Sequence, residues 1–314
     1  MEANHLSPIK QAAPSKSRAD DRNEQQLGSR RATWVQTRSG VAIDWKRAIG
    51  TFAATHFIQH GDVVQGGPGT TNVEFMGAIV ARQVATKRGL DLIFMTTSLP
   101  VMAKGRDAKE KHVDILQGMQ LILTGGAFQG PIDSLVGPYA VQGIRSEMLR
   151  PNWVFFGAAG LDFSPSFTIR YQFDDELATQ EAYATRPTDH RVLLCDHTKL
   201  GRNVGWKANL NVESILEHAK SFRIVTTYPD ASDPARLVVD EQIQAFKDLL
   251  KNLAEKIGND ENHPLRGKEF SLRLVNSNGE AAKDKEDISL ADYLKNEPAD
   301  PTSEEEPNNR VHLH

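Results

Sequence analysis

The stretch VVQGGPGTTNVEF, Val63 to Phe75, decides how the rest of the chain reads. A short apolar run breaks into three glycines and a proline, then passes through two threonines into residues at helical spacing. Glycines let backbone amides turn inward with no Cβ in the way. Thr70 and Thr71 stand where a helix beginning near Asn72 takes its cap. Free amides and the positive end of a helix dipole together favour a phosphate or carboxylate. The stretch therefore reads as a strand, an anion cradle and a helix, with Gly67 and Gly69 in the cradle. The same residues also suit a tight strand-to-helix turn that holds no ligand. The cradle lacks the lysine of a nucleotide P-loop and does not fit G-x-G-x-x-G, which argues against ATP and dinucleotides.

Downstream the same texture repeats. Apolar, β-rich runs at Asp62–Gln65, Leu92–Met95, Met119–Leu123, Trp153–Phe156, Val192–Cys195 and Phe222–Val225 alternate with helical stretches such as Asn72–Arg88 and Asp174–Ala184. Alternation of this kind predicts an α/β fold with a mainly parallel sheet and helices on both faces. Such sheets bind ligands beyond the carboxyl ends of their strands. The site loops expected on that basis are Gly66–Thr71, Thr96–Pro100, Gly125–Gly130, Gly157–Asp162 and Asp196–Arg202. They bring forward Thr97 and Ser98 as hydroxyls, Gly125, Gly126 and Gly157 as close-approach positions, and Asp162 as a carboxylate. LLCDHTKLGR, Leu193 to Arg202, delivers Asp196, His197 and Lys199 directly after an apolar strand. Asp196 and Lys199 either pair with each other or leave the lysine to face an anion across the cleft.

The chain divides into four segments. Residues 1–42 are polar, carry Arg30, Arg31 and Arg38, and read as a flexible arm. Residues 43–230 form the α/β domain, opening with a helix in which Ile43, Trp45, Ile49, Phe52, Ala53 and Phe57 fall at near-helical intervals before Gly61. Residues 231–280 add the amphipathic DEQIQAFKDLLKNLAEKI and the strand-like EFSLRLVNSNGE, a helix and strand extension. Residues 281–314 are acidic and polar, read as a disordered tail, and end in His312 and His314.

Composition narrows the function class. With 314 residues and 39% hydrophobic content the chain can bury a real core. A net charge of −4 provides no global field for nucleic acid, so direct DNA binding is not expected. The lone Cys195 excludes an internal disulfide and fits a reducing cytoplasm. No apolar h-region or long apolar run points to secretion or a membrane. There is no G-x-S-x-G, no H-E-x-x-H and no cysteine cluster, so neither a metal nor a cofactor is expected.

In chain order, GDVVQGGPGTTNVEF, MTTSLPV, LTGGAFQGPIDSLVGPYA, FFGAAGLD and LLCDHTKLGR resemble the motif series of the effector-binding domain of DeoR-type bacterial transcriptional regulators. The resemblance spans roughly residues 43 to 228 and implies the Rossmannoid fold shared with ribose-5-phosphate isomerases and coenzyme A transferases. It implies a phosphorylated sugar held by Gly69, Thr70 and Thr71, a pocket lined by Ser98 and Gly126, and Lys199 as a cationic contact. The family pattern D-x-G-T-T meets Gly67 here, which removes an acceptor for sugar hydroxyls. The winged helix-turn-helix of such regulators has no counterpart in residues 1–42, so the resemblance points to a sensor acting through a protein partner or its own oligomer. The isomerases suggest an enzyme alternative with Glu181 as base, fifteen residues before Asp196. Against it, Phe156 and Ala159 stand where that loop carries aspartates. An interaction protein that binds no small anion is the further alternative.

Overall fold

The structure, a computed structural model, describes residues 42–258, 260, 262–282 and 287–294. The expected arm lies outside the described residues except for Ala42, as do Arg30, Arg31, Arg38, His312 and His314.

Thirteen strands run along the described chain: β1 Val63–Gly66, β2 Ile93–Thr96, β3 Gln120–Leu123, β4 Ala127–Gln129, β5 Ser134–Val136, β6 Trp153–Phe156, β7 Gly160–Asp162, β8 Thr168–Tyr171, β9 His190–Leu194, β10 Trp206–Lys207, β11 Ser221–Thr227, β12 Glu269–Val275 and β13 Ile288–Ser289. Eight of them form the main sheet in the order β13-β12-β11-β9-β6-β1-β2-β3. All its pairings are parallel except that of β13 on β12. The helices are α1 Ile43–His56, α2 Thr70–Thr86, α3 Leu99–Lys111, α4 Val113–Leu116, α5 Pro138–Arg145, α6 Asp174–Thr185, α7 Val212–Leu216, α8 Ala235–Ile257 and α9 Leu290–Leu294.

Alternation along each strand explains why both faces must be covered. On β9, Val192 and Leu194 enter the core under α1 and α2, while Leu193 enters the core under α6, α7 and α8. On β6, Phe155 goes to the first core and Val154 and Phe156 to the second. The first core is closed by Ile49, Phe52, Phe75, Met76 and Ile79, the second by Tyr183, Ile215, Ile243, Phe246 and Leu250. Each fully buried side chain of this size contributes about 1.5–3 kcal/mol of transfer free energy.

The expected α/β fold is therefore present. Residues 231–280 join the same sheet and core: β12 pairs with β11 over seven residues, and α8 lays Val239, Ile243, Phe246, Leu250 and Leu253 on the second core. Within the segment read as a tail, β13 pairs with β12, and Leu290 of α9 is buried. Two expected loops contain strands of their own. Ala127–Gln129 pairs with Ser134–Val136 as a hairpin, and Gly160–Asp162 joins β8 and β10 in a three-stranded sheet. No described helix is long and apolar enough to cross a membrane.

Candidate functional site

Chain order against sheet order locates the site. From β1 the chain moves outward through β2 to β3, then returns to the other side of β1 as β6 and continues outward through β9, β11 and β12. The direction reverses between β1 and β6, and open α/β sheets bind ligands beyond the carboxyl ends of their strands at such a point. The Gly67 amide donates to the Phe155 carbonyl at 2.7 Å. A Cβ on Gly157 would lie 3.7 Å from the Pro68 carbonyl oxygen and 3.8 Å from that of Leu194, so the turns after β1, β6 and β9 converge.

The glycine-threonine turn leaves backbone and side-chain polar groups unpaired at the start of α2. Gly69 occupies the N-cap of α2 at φ 124° and ψ 149°, a region that L side chains rarely adopt. The helix starts at Thr70, two residues before Asn72, because Gly69 takes the N-cap conformation; Thr70 and Thr71 therefore lie in its first turn and do not cap it as expected, no side chain caps this end, and its first turn carries no acid. The Thr70, Thr71 and Asn72 amides sit in the first turn, where no intrahelical acceptor is available. Asn72 is fully buried and its Nδ2 donates to the Pro68 carbonyl at 3.4 Å. The Thr71 hydroxyl and Asn72 Oδ1 are buried without a hydrogen-bond partner among the described residues.

Beyond β9 lies a charged cluster. Asp196 accepts from the Thr198 hydroxyl at 2.5 Å, and its other oxygen is 3.6 Å from Lys199 Nζ. Burial pushes the Asp196 carboxyl up, but Lys199, the Thr198 hydroxyl, Lys46 and His197 hold it below the usual carboxylate range. The pairing of Asp196 with Lys199, one of the two readings left open by the sequence, is the arrangement found. His197 lies on a 3-10 turn, His197–Lys199, and Thr227 clamps it. Thr227 Oγ1 accepts from the His197 amide at 2.9 Å and lies 2.8 Å from Nδ1. Burial lowers the His197 pKa, against the pull of Asp196 and Asp233. Trp45 meets the ring edge-on at 5.2 Å.

The loop after β2 is held from within. The Thr97 amide donates to the Tyr183 hydroxyl at 3.0 Å, which in turn donates to Thr97 Oγ1 at 3.1 Å. Burial pushes the Tyr183 phenol up to about 12, so it stays a neutral donor. Ser134 Oγ lies 3.0 Å from the Thr97 carbonyl oxygen, tying the β4–β5 hairpin to the same loop. Ser98 caps α3 by accepting from the Val101 amide at 3.5 Å. Gly126, at φ 127°, admits no side chain, because a Cβ would fall 2.8 Å from that of Ala140. Gly125 follows Thr124, whose amide donates to the Thr96 carbonyl at 3.0 Å. Asp162 accepts from the Ser164 amide at 2.9 Å and from Gln242 Nε2 at 3.0 Å, which ties it to α8. Glu181 on α6 accepts from the Asn209 amide at 2.8 Å.

Sequence reasoning missed Lys46, which is buried on α1 and reaches Asp196 electrostatically. A signal for it existed, because Lys46 shares the i, i+3, i+7 face with Ile49 and Ala53. Thr227 and Asn72 had no such signal. Among the described residues no group of three His, Cys, Asp or Glu side chains is placed to hold a metal.

The profile of the family described as "DeoR C terminal sensor domain" matches residues 42–213. No curated protein matches the chain. Among solved structures, ribose 5-phosphate isomerase from Plasmodium falciparum is similar at 14% identity and TM-score 0.35, over 51% of this chain and 53% of that one. Ribose 5-phosphate isomerase A from Methanocaldococcus jannaschii is similar at 16% identity and TM-score 0.33, over 51% of this chain and 55% of that one. For eIF2B delta from Chaetomium thermophilum the figures are 12% and 0.35, over 62% of each chain. The chain thus spans about half the length of the isomerases it resembles.

Proposed function

We propose that this chain, which belongs to the family of DeoR C-terminal sensor domains, binds a phosphorylated sugar or similar small anionic metabolite in the crevice between β1 and β6. The bound state is then passed to a regulatory protein partner or to a second copy of the chain. One observation carries the reading: the uncapped, acid-free start of α2 lies where the strand order reverses. Backbone amides and helix dipole there suit a phosphoryl group. Gly67, Gly69, Thr70 and Thr71 would surround it, with Asp196 and Lys199 on the neighbouring turn.

A thermal-shift panel of sugar phosphates, their unphosphorylated sugars and inorganic phosphate tests this. A ligand at about 100 times its Kd stabilises the fold by roughly 2.7 kcal/mol. A selective shift with one sugar phosphate, lost in Gly69→Asp and retained in Gly69→Ala, is expected. Both substitutions carry the backbone strain of φ 124°, so what separates them is the carboxylate, its charge and its bulk. Equal shifts in the two variants would remove the cradle from the site.

A further inference from the structure

At the end of the sheet opposite the crevice lies a cavity of about 410 Å³. Its walls come from the turns that lead into four adjacent parallel strands, β6, β9, β11 and β12. Arg150, Lys220 and Lys268 line it, against Asp189 and Glu217. Asp189 is shared, 3.2 Å from Lys220 Nζ and 3.9 Å from Arg150.

The wall behind is more basic still. Arg191, on β9, is the largest fully buried side chain of the described residues, and Arg186 is 4% exposed. Arg191 Nη2 donates to the carbonyl of Arg186, the residue preceding Pro187 in the cavity wall. Arg191 Nε and Nη1 and Arg186 Nε have no hydrogen-bond partner among the described residues. Burial lowers the Arg191 guanidinium to about 9, with no acidic group offsetting it. Lys268 is held below its ordinary value by burial and by Arg191, so the guanidinium field reaches the cavity lining.

A buried cation with unused donors is costly unless an anion faces it. Three cationic side chains line the cavity against two carboxylates, and the unused donors of the buried Arg191 add to that excess, which favours an oxyanion; guanidinium donors match phosphoryl oxygens. We propose that this cavity at the amino ends of the strands is a second anion site, which takes a phosphoryl group independently of the crevice at the carboxyl ends. The volume leaves room for a small metabolite attached to that group.

The test uses calorimetric titration of the full chain with inorganic pyrophosphate at constant ionic strength. In Gly69→Asp, which blocks the crevice, binding is expected to persist. Added to that variant, Arg150→Glu with Lys220→Glu should weaken binding at least tenfold; both side chains are more than two-thirds exposed, so the fold is retained. Arg106→Glu with Lys111→Glu on α3 makes the same change in net charge away from the cavity and should leave affinity within twofold. Arg191→Met should weaken binding without lowering the melting temperature; if it fails to fold, the surface pair decides. No binding in Gly69→Asp, unchanged affinity in the Arg150 and Lys220 variant, or an equal loss in the α3 control would each overturn the proposal.

Discussion

At the scale of single residues, Asp196 has the most to lose. Its carboxylate is buried, bonded to Thr198 and flanked by the charges of Lys199 and Lys46. Removing one partner of a buried pair costs about 3–5 kcal/mol, because the remaining charge is left without compensation. Asp196→Asn should therefore lose about 3 kcal/mol at pH 7. The native pKa is depressed, so the stabilisation is present above the ordinary value near 3.9 and is lost as pH falls below it through the native value. Urea denaturation at pH 7 and pH 3 checks this, and a gap between wild type and variant that does not shrink at pH 3 would refute the assignment. His197 acts in a separate window. Its native pKa is also depressed, so it favours the folded state above about 6.5 and loses that contribution as pH falls. His190 is lowered as well and contributes in the same range.

Among the elements, α8 decides whether the small sheet stays docked. Gln242 donates to Asp162 Oδ1 at 3.0 Å and accepts from the Phe163 amide at 3.0 Å, so one amide holds the end of β7 against the helix. Gln242→Leu fits the apolar surroundings but leaves the Phe163 amide buried and unpaired, which costs about 1–3 kcal/mol. The expected result is a lower urea midpoint with an unchanged m-value. An unchanged midpoint would mean that the packing of Ile243 and Phe246, not this clasp, holds the helix. The strands differ in how plainly they read. Trp153–Phe156 is a continuous apolar run between Pro151 and Gly157, the pattern of a strand buried on both faces. Gly160–Asp162, Thr168–Tyr171 and Trp206–Lys207 are short and mixed in polarity, because they form a side sheet whose outer strand is exposed.

For the molecule as a whole, the second core is shared between the family-matched residues 42–213 and the chain downstream of them. Phe222 stacks on Phe270 at 5.3 Å, and Phe246 meets Phe270 at 5.1 Å. A chain ending at Asp230 would expose Phe222 and Ile224, and loses α8 and β12 entirely. It should show no cooperative unfolding transition and should bind a hydrophobic dye, whereas the full chain melts cooperatively. A sharp transition in the truncated chain would show that residues 43–230 fold alone.

By itself the sequence determined what local pattern can encode. The cap expected from Thr70 and Thr71 did not form, whereas strand and helix alternation, the amphipathic α8 and the turn at the glycines before α2 were legible because apolar period and glycine act within a few residues. So was the candidate set around Gly69, Thr70, Asp196 and Lys199, since each lies just after a strand. The tertiary structure alone decided which strands are neighbours, and hence that the turns after β1, β6 and β9 meet. It also decided that Lys46 faces Asp196, and that Arg191 lies buried behind a basic cavity at the far end of the sheet. Those facts depend on contacts between residues far apart in the chain, and on burial, which changes the energy of a charge without leaving a mark in local sequence.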